Sequence, residues 1–233
     1  MRAVPRRQKV KVYGLLRCGT NYLSALVEQN YRVRALGPDD GGWKHGPIAA
    51  PPEVVPLLIT KDPYTWLESF HEWERIHNRT AAPLLEFATA PLTHLRLAQV
   101  WSATDPIDAW NKATRSWLEA VAARDVLVVR YEDLLEDFRA ELQRFEHRHR
   151  ARRRSPGLSD ISERVDVWET PLPRRELDRQ RYRPGEGPPL DPAVRRVLDA
   201  RLEHDLLDAL GYLPASGQRA DPTHGGRIGS GGD

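Results

Sequence analysis

One cysteine in 233 residues, Cys18, leaves no partner for an internal disulfide, and a chain that does without disulfides fits a reducing compartment. The opening run M-R-A-V-P-R-R-Q-K-V has no apolar stretch of the signal-peptide kind, so the cytoplasm is the expected location. Long hydrophobic runs are missing as well. The strongest, Val54 to Ile59, is short and interrupted by Pro56, well under the ~18–20 residues that cross a bilayer, so no membrane span is expected. Charge of one sign is also scarce: 35 Lys and Arg against 33 Asp and Glu leave +2. Without an overall basic field, nucleic acid is not an expected partner, and any anion site has to be local.

What is present belongs to a globular chain. A hydrophobic fraction of 40% and seven Trp supply core material, while 29% charged residues keep the surface polar. Most of the tryptophans are read as core. The length fits one large α/β domain, taken here as residues 1–213, with the Gly- and Ser-rich residues 214–233 expected to be a disordered tail.

Strand and helix signals alternate along the chain. Val10 to Leu16 reads as a buried strand running into the tight turn Arg17-Cys18-Gly19-Thr20-Asn21. Thr20 or Asn21 then caps a helix with Tyr22, Leu23, Leu26 and Val27 at helical spacing. Tyr31 to Leu36 is a second strand, and Gly37 to Pro52 a loop holding Trp43-Lys44-His45-Gly46. Val54 to Thr60 is a third strand, buried on both faces, and Asp62-Pro63 opens a helix to about Arg75. Pro83 to Ala123 is helix-rich, Asp125 to Arg130 contains another strand, and Asp133 with Glu136 resembles a capping box for the next helix. The six arginines between Arg144 and Arg154 read as a solvated helix end and mobile loop. Pro188 to Asp191 starts a last helix, with Val194, Val197, Leu198, Leu202, Leu206 and Leu210 on one face and Gly211 at its end. This alternation predicts an α/β fold of three layers, a mostly parallel central sheet with helices on both faces. Ligands then sit beyond the carboxyl ends of the strands, where Arg17, Lys61-Asp62 and Arg130-Tyr131 fall.

The turn after the first strand aims backbone N–H groups and a helix dipole at one point, which holds a phosphate or sulfate. Arg17 adds charge, and Thr20 and Asn21 add side-chain donors. The pattern is not G-x-x-x-x-G-K-[ST]: there is one glycine and no Lys-Ser/Thr pair. That weakens a magnesium-dependent nucleotide or small-molecule kinase. A non-catalytic nucleotide-binding protein would keep the turn but need no base.

The segment R-C-G-T-N-Y resembles the 5'-phosphosulfate loop of the PAPS-dependent sulfotransferases, where PAPS is 3'-phosphoadenosine-5'-phosphosulfate. I-T-K-D-P-Y-T-W-L-E-S-F resembles that family's 3'-phosphate motif, with Lys61 and Ser69 at the family's spacing, and V-V-R-Y-E-D-L-L-E-D resembles its R-Y-E-D-L segment. The resemblance implies a P-loop-like sulfotransferase fold, with Arg17, Cys18, Gly19, Thr20, Asn21 and Tyr22 on the 5'-phosphosulfate and Lys61 and Ser69 on the 3'-phosphate. Arg181 and Arg183, in R-Q-R-Y-R-P-G, are expected to close over the 3'-phosphate as an Arg/Gly loop does in relatives. Lys61 replaces the arginine more usual there, a point charge in place of a bidentate fork.

The donor implied is PAPS, the product 3',5'-adenosine bisphosphate, and the acceptor a small molecule, carbohydrate or peptide bearing a hydroxyl or amine. Arg17 is placed to stabilise the bridging oxygen, and no metal is expected because a sulfuryl group carries less charge than a phosphoryl. His45 is the candidate base, in a W-K-H-G segment that resembles the family's K-x-H but has Lys44 directly adjacent. His71 is the reserve. Cys18 is expected to have a depressed pKa, from Arg17 and the helix N-terminus, and to be open to oxidation. The R-Y-E-D-L segment reads as architectural, with Asp133 making a cap, Tyr131 covering a core edge and Arg130 near the donor.

Overall fold

Four parallel strands, β2 (Val33–Ala35), β1 (Gln8–Tyr13), β3 (Val54–Thr60) and β4 (Leu127–Arg130) in that spatial order, form the centre of the molecule. The computed structural model describes residues 7–77, 79–161 and 190–212. Its elements are β1 (Gln8–Tyr13), α1 (Thr20–Asn30), β2 (Val33–Ala35), β3 (Val54–Thr60), α2 (Pro63–Ile76), α3 (Leu84–Thr89), α4 (Leu95–Trp101), α5 (Pro106–Ala123), β4 (Leu127–Arg130), α6 (Tyr131–Glu136), α7 (Phe138–His149), α8 (Pro192–Arg201) and α9 (His204–Leu210). Arg181, Arg183 and the 214–233 segment lie outside the described residues.

The strand order explains where a ligand can bind. From β1 the chain crosses through α1 to β2 on one side, and from β3 it crosses through α2–α5 to β4 on the other. Right-handed crossovers in opposite directions put their helices on opposite faces, so the sheet is covered twice. Leu57, Leu58 and Ile59 of β3 are completely buried as a result. The winding reverses between β1 and β3, and in open α/β sheets the carboxyl ends of the strands at such a point are where ligands bind. Arg17 follows β1 and Lys61 follows β3.

Several boundaries differ from the sequence reading. β1 stops at Tyr13 and not at Leu16, because Gly14 N turns away to donate to Lys44 O at 3.0 Å. A side chain at Gly14 would sit 2.4 Å from Ile59 O, so only glycine lets β1 and β3 approach there. The second strand shortens to Val33–Ala35, and Tyr31 instead bridges antiparallel to Arg153. The helix expected after Asp133 is capped by Asp137, whose side chain accepts from Arg139 N and Ala140 N; Asp133 itself lies inside α6. The single last helix is two, α8 and α9, parted at Leu202.

The arginine run is tied down where a free loop was expected. Arg153 Nε donates to Glu146 at 2.7 Å, and Arg154 Nε to the carbonyls of Glu28 and Tyr31, each at 2.7 Å. These bonds tie Arg153 to α7 and Arg154 to the carbonyls at the end of α1.

Candidate functional site

The turn after β1 is built on two left-handed residues, Arg17 with φ 69° and Gly19 with φ 91°. For arginine this conformation costs about 1–2 kcal/mol, and such strain clusters where a ligand is held. Gly19, and neither Thr20 nor Asn21, is the N-cap of α1, and no side chain caps that helix. The head of an eleven-residue helix therefore opens toward the turn with its dipole uncapped. Trp66 of α2 fixes the turn from below by donating its indole N–H to Leu16 O at 2.7 Å.

The loop carrying Trp43 to Gly46 is strapped to β1. Lys11 Nζ donates to the carbonyls of Gly37 and Pro38, and Tyr13 donates its hydroxyl to Gly41 O at 2.8 Å. Trp101 and Trp117 hold the same loop through His45 O and Gly46 O, at 2.9 and 3.0 Å. The buried tryptophans are core, as the sequence implied, and they also pin the loops at this edge of the sheet. Lys44 reaches Asn21 Oδ1 at 2.5 Å, so a second cation stands at the turn after β1, beside Arg17.

His45 is 8% exposed, and its Nδ1 donates to Gly14 O at 2.6 Å. A carbonyl only accepts, so the proton is on Nδ1 and Nε2 keeps its lone pair. Titration near neutrality, the property that singled out His45, is not what the fold provides. Burial, reinforced by the charge of Lys44, lowers its pKa to about 3. The unfolded chain's imidazole takes up a proton below its ordinary 6.5. Between there and about 3 the unfolded state holds the extra proton, so stability falls as pH falls. We expect His45→Gln to flatten this acid limb in urea titrations between pH 6.5 and pH 4, by up to several kcal/mol at about 1.36 kcal/mol per pH unit. Parallel limbs for the two proteins would mean that His45 is not held neutral.

The second group expected to meet an anion lies at the end of β3. Lys61 is 2% exposed and donates to Ser69 Oγ at 2.7 Å, across two turns of α2. Asp62 caps that helix by accepting from Tyr64 N at 2.8 Å, with Pro63 at its first position, as the sequence predicts. Tyr131 joins the two sites. Its ring centroid lies 5.1 Å from Lys61 Nζ, and a Cβ on Gly19 would come within 2.5 Å of the ring edge. Arg17 to Tyr22, Lys61 and Ser69 therefore meet at one sheet edge.

Cys18 overturns its expectation. Buried beneath the turn, its thiol is pushed up to about 12 because burial outweighs the nearby charge of Lys61. A thiol so far from ionisation is not the oxidation-prone group expected from its neighbours. His71 also lies elsewhere: its Nε2 bonds Ala82 O at 2.8 Å and its ring packs on Phe87. Arg130, expected near the donor, donates to Gly211 O at 3.2 Å and lies over the Tyr212 ring.

Sequence reasoning missed the carboxylates. Glu132, 3% exposed, accepts from Asp62 N at 2.9 Å and from Tyr212 OH at 3.1 Å, and burial raises its pKa. The Tyr212 hydroxyl also meets Thr60 Oγ1 at 3.0 Å. Asp160 accepts from Tyr22 OH at 2.6 Å, behind the 5' loop. Among the described residues no three His, Cys, Asp or Glu side chains are grouped to hold a metal, and no helix is long and apolar enough to cross a membrane.

No protein-family model matches the sequence, and no curated protein matches it. Among solved structures the chain is similar to a sulfotransferase from Alicyclobacillus acidocaldarius, 14% identical, with 89% of this chain and 96% of that one covered and a TM-score of 0.50. It is also similar to mouse sulfotransferase SULT7A1, crystallised in complex with PAP, 14% identical, with a TM-score of 0.43. That match covers 62% of this chain and spans 58% of the mouse chain. The parallel sheet with helices around it is a sulfotransferase fold.

Proposed function

We propose that the chain is a PAPS-dependent sulfotransferase acting on a hydroxyl or amine of a small-molecule, carbohydrate or peptide acceptor. The observation that carries this reading is the meeting of the two anion sites through Tyr131, with Lys61 and Ser69 bonded on one side and the left-handed Arg17–Gly19 turn on the other. One phosphate site would suit many nucleotides; two, at the winding reversal, suit an adenosine carrying anions at both ends of its ribose.

In this reaction the sulfur–oxygen bond to the nucleotide phosphate breaks while the acceptor atom bonds sulfur and releases its proton. The residues divide that work. Arg17, Thr20, Asn21 and the head of α1 hold the 5' group, with Cys18 and Tyr22 shaping the turn from below. Arg17 keeps its charge throughout, so it stabilises negative charge on the leaving oxygen without donating a proton. Lys61 and Ser69 hold the 3'-phosphate. His45, with Nδ1 bound to Gly14 O, takes the acceptor's proton at Nε2. The anionic donor beside it offsets burial and strengthens it as a base. Arg181 and Arg183 keep their place in the reading as closure over the 3'-phosphate. We assign no metal and no nucleic-acid partner, and a cytoplasmic location fits the lone buried thiol.

A thermal shift tests the reading. Saturating 3',5'-adenosine bisphosphate should stabilise the chain, by about 2.7 kcal/mol at a hundred times its dissociation constant, and ATP-magnesium should not. Stabilisation by ATP-magnesium alone would favour the kinase.

A further inference from the structure

We infer that Tyr131, braced by Glu132, is a positioning residue that sets the separation between the two anion sites and so makes the site prefer a nucleotide carrying both phosphates. The inference rests on the donor assignment above and gives Tyr131 and Glu132 a role in setting ligand preference. Tyr131 and Glu132 are consecutive, at the junction of β4 and α6, and both are buried. The Tyr131 ring edge abuts the backbone of Gly19, so the ring stands where any side chain at 19 would have to go. On the other side the ammonium of Lys61 lies 5.1 Å from the ring centroid, inside the range of cation–π attraction. One rigid plane thus separates the 5' turn from the 3' cation.

Glu132 holds the far side of the same joint. One carboxylate oxygen accepts from the backbone of Asp62, the residue that follows Lys61 and caps the helix bearing Ser69. The other accepts from Tyr212 OH, which also meets Thr60, the residue before Lys61. Residues 60 to 62 are gripped from both sides by contacts that start at a single strand end. Without the ring, each anion site keeps its own backbone and its own charges. What is lost is their fixed spacing, which only a ligand touching both sites can sense. Preorganisation of this kind acts on the doubly anchored ligand and not on the singly anchored one.

Calorimetric titration of the full chain with 3',5'-adenosine bisphosphate and with adenosine 5'-monophosphate tests this. In the unaltered protein the bisphosphate should bind at least about 10-fold more tightly, the effect expected of charged hydrogen bonds to one added phosphate. In Tyr131→Met, which fills the volume without a ring face, the preference should shrink to within about 3-fold while the monophosphate affinity stays put. Tyr131→Phe should restore it. A variant damaged only in folding would lose both ligands together. An unchanged preference in Tyr131→Met, or a Phe variant as defective as the Met one, would overturn the inference; Tyr131→Leu supplies the same readout should the Met variant fail to fold. Absence of any preference in the unaltered protein would remove the donor assignment itself, and with it the inference.

Discussion

Arg17→Ala should lower the rate of sulfuryl transfer about 10²–10³-fold, the usual consequence of removing one preorganised donor from a developing oxyanion. The fold should survive. Arg17 is partly exposed and stands in the left-handed region with φ 69°. Alanine meets the same clash between Cβ and carbonyl as arginine does there, so the substitution leaves the backbone strain unchanged. A loss of activity therefore cannot be traced to a relaxed turn. The loss should fall mainly on kcat, because Lys44, beside Asn21, and the uncapped head of α1 still attract the 5' group in the ground state. Arg17→Gly sharpens the comparison, since glycine adopts this φ without strain. It should be as inactive as the alanine variant and no less stable. Unchanged turnover in either variant, measured at saturating donor, would remove Arg17 from the mechanism.

The sulfotransferase reading came from local patterns, and the fold reproduces those that local physics controls. A strand end, a glycine turn and a helix head lie within a dozen residues of one another. The same holds for Lys61, Asp62, Pro63 and Ser69, where the cap and the helical repeat alone bring Ser69 back to the ammonium at 2.7 Å. Reasoning from neighbours in sequence fails where distant elements decide. Cys18 has Arg17 beside it, yet its thiol is pushed up because burial in the core removes its water. His45 reads in the sequence as a base titrating near neutrality, and the tryptophans of α4 and α5 that bury its loop lie far along the chain. Asp133 satisfied the spacing of a capping box, but the helix began at Tyr131 and Asp137 took the cap of the next one.

Glu132 is the instructive omission. An acidic residue after the tyrosine of a strand end reads as surface until its partners are known. One of those partners, Tyr212, is 80 residues away and belongs to the final turn of the described chain. The helix end at Gly211 and the R-Y-E-D-L segment are both legible in the sequence, and nothing in either says that they meet. Their meeting converts two weak sequence signals into one brace under the 3' site. A search for unpaired acids and tyrosines in separate motifs is the signal that would have found it.

Lys61→Met should separate binding from stability. A buried ammonium loses its hydration on folding, and a methionine of similar length fills the same space without that cost. Lys61 is 2% exposed, so the loss of water is nearly complete. Its bond to Ser69 and its place over Tyr131 return part of the energy. Replacing buried charge by well-packed apolar atoms is often neutral or stabilising, so the unfolding free energy in urea should stay level or rise by about 1 kcal/mol. Affinity for 3',5'-adenosine bisphosphate should meanwhile fall at least about 10-fold, with adenosine 5'-monophosphate little affected. The opposite pattern, a protein destabilised by about 3 kcal/mol that binds the bisphosphate as before, would make Lys61 a structural residue. The expected pattern has a definite physical reading. A charge at the end of β3 that the fold alone would do as well without would then be explained by the anion it binds.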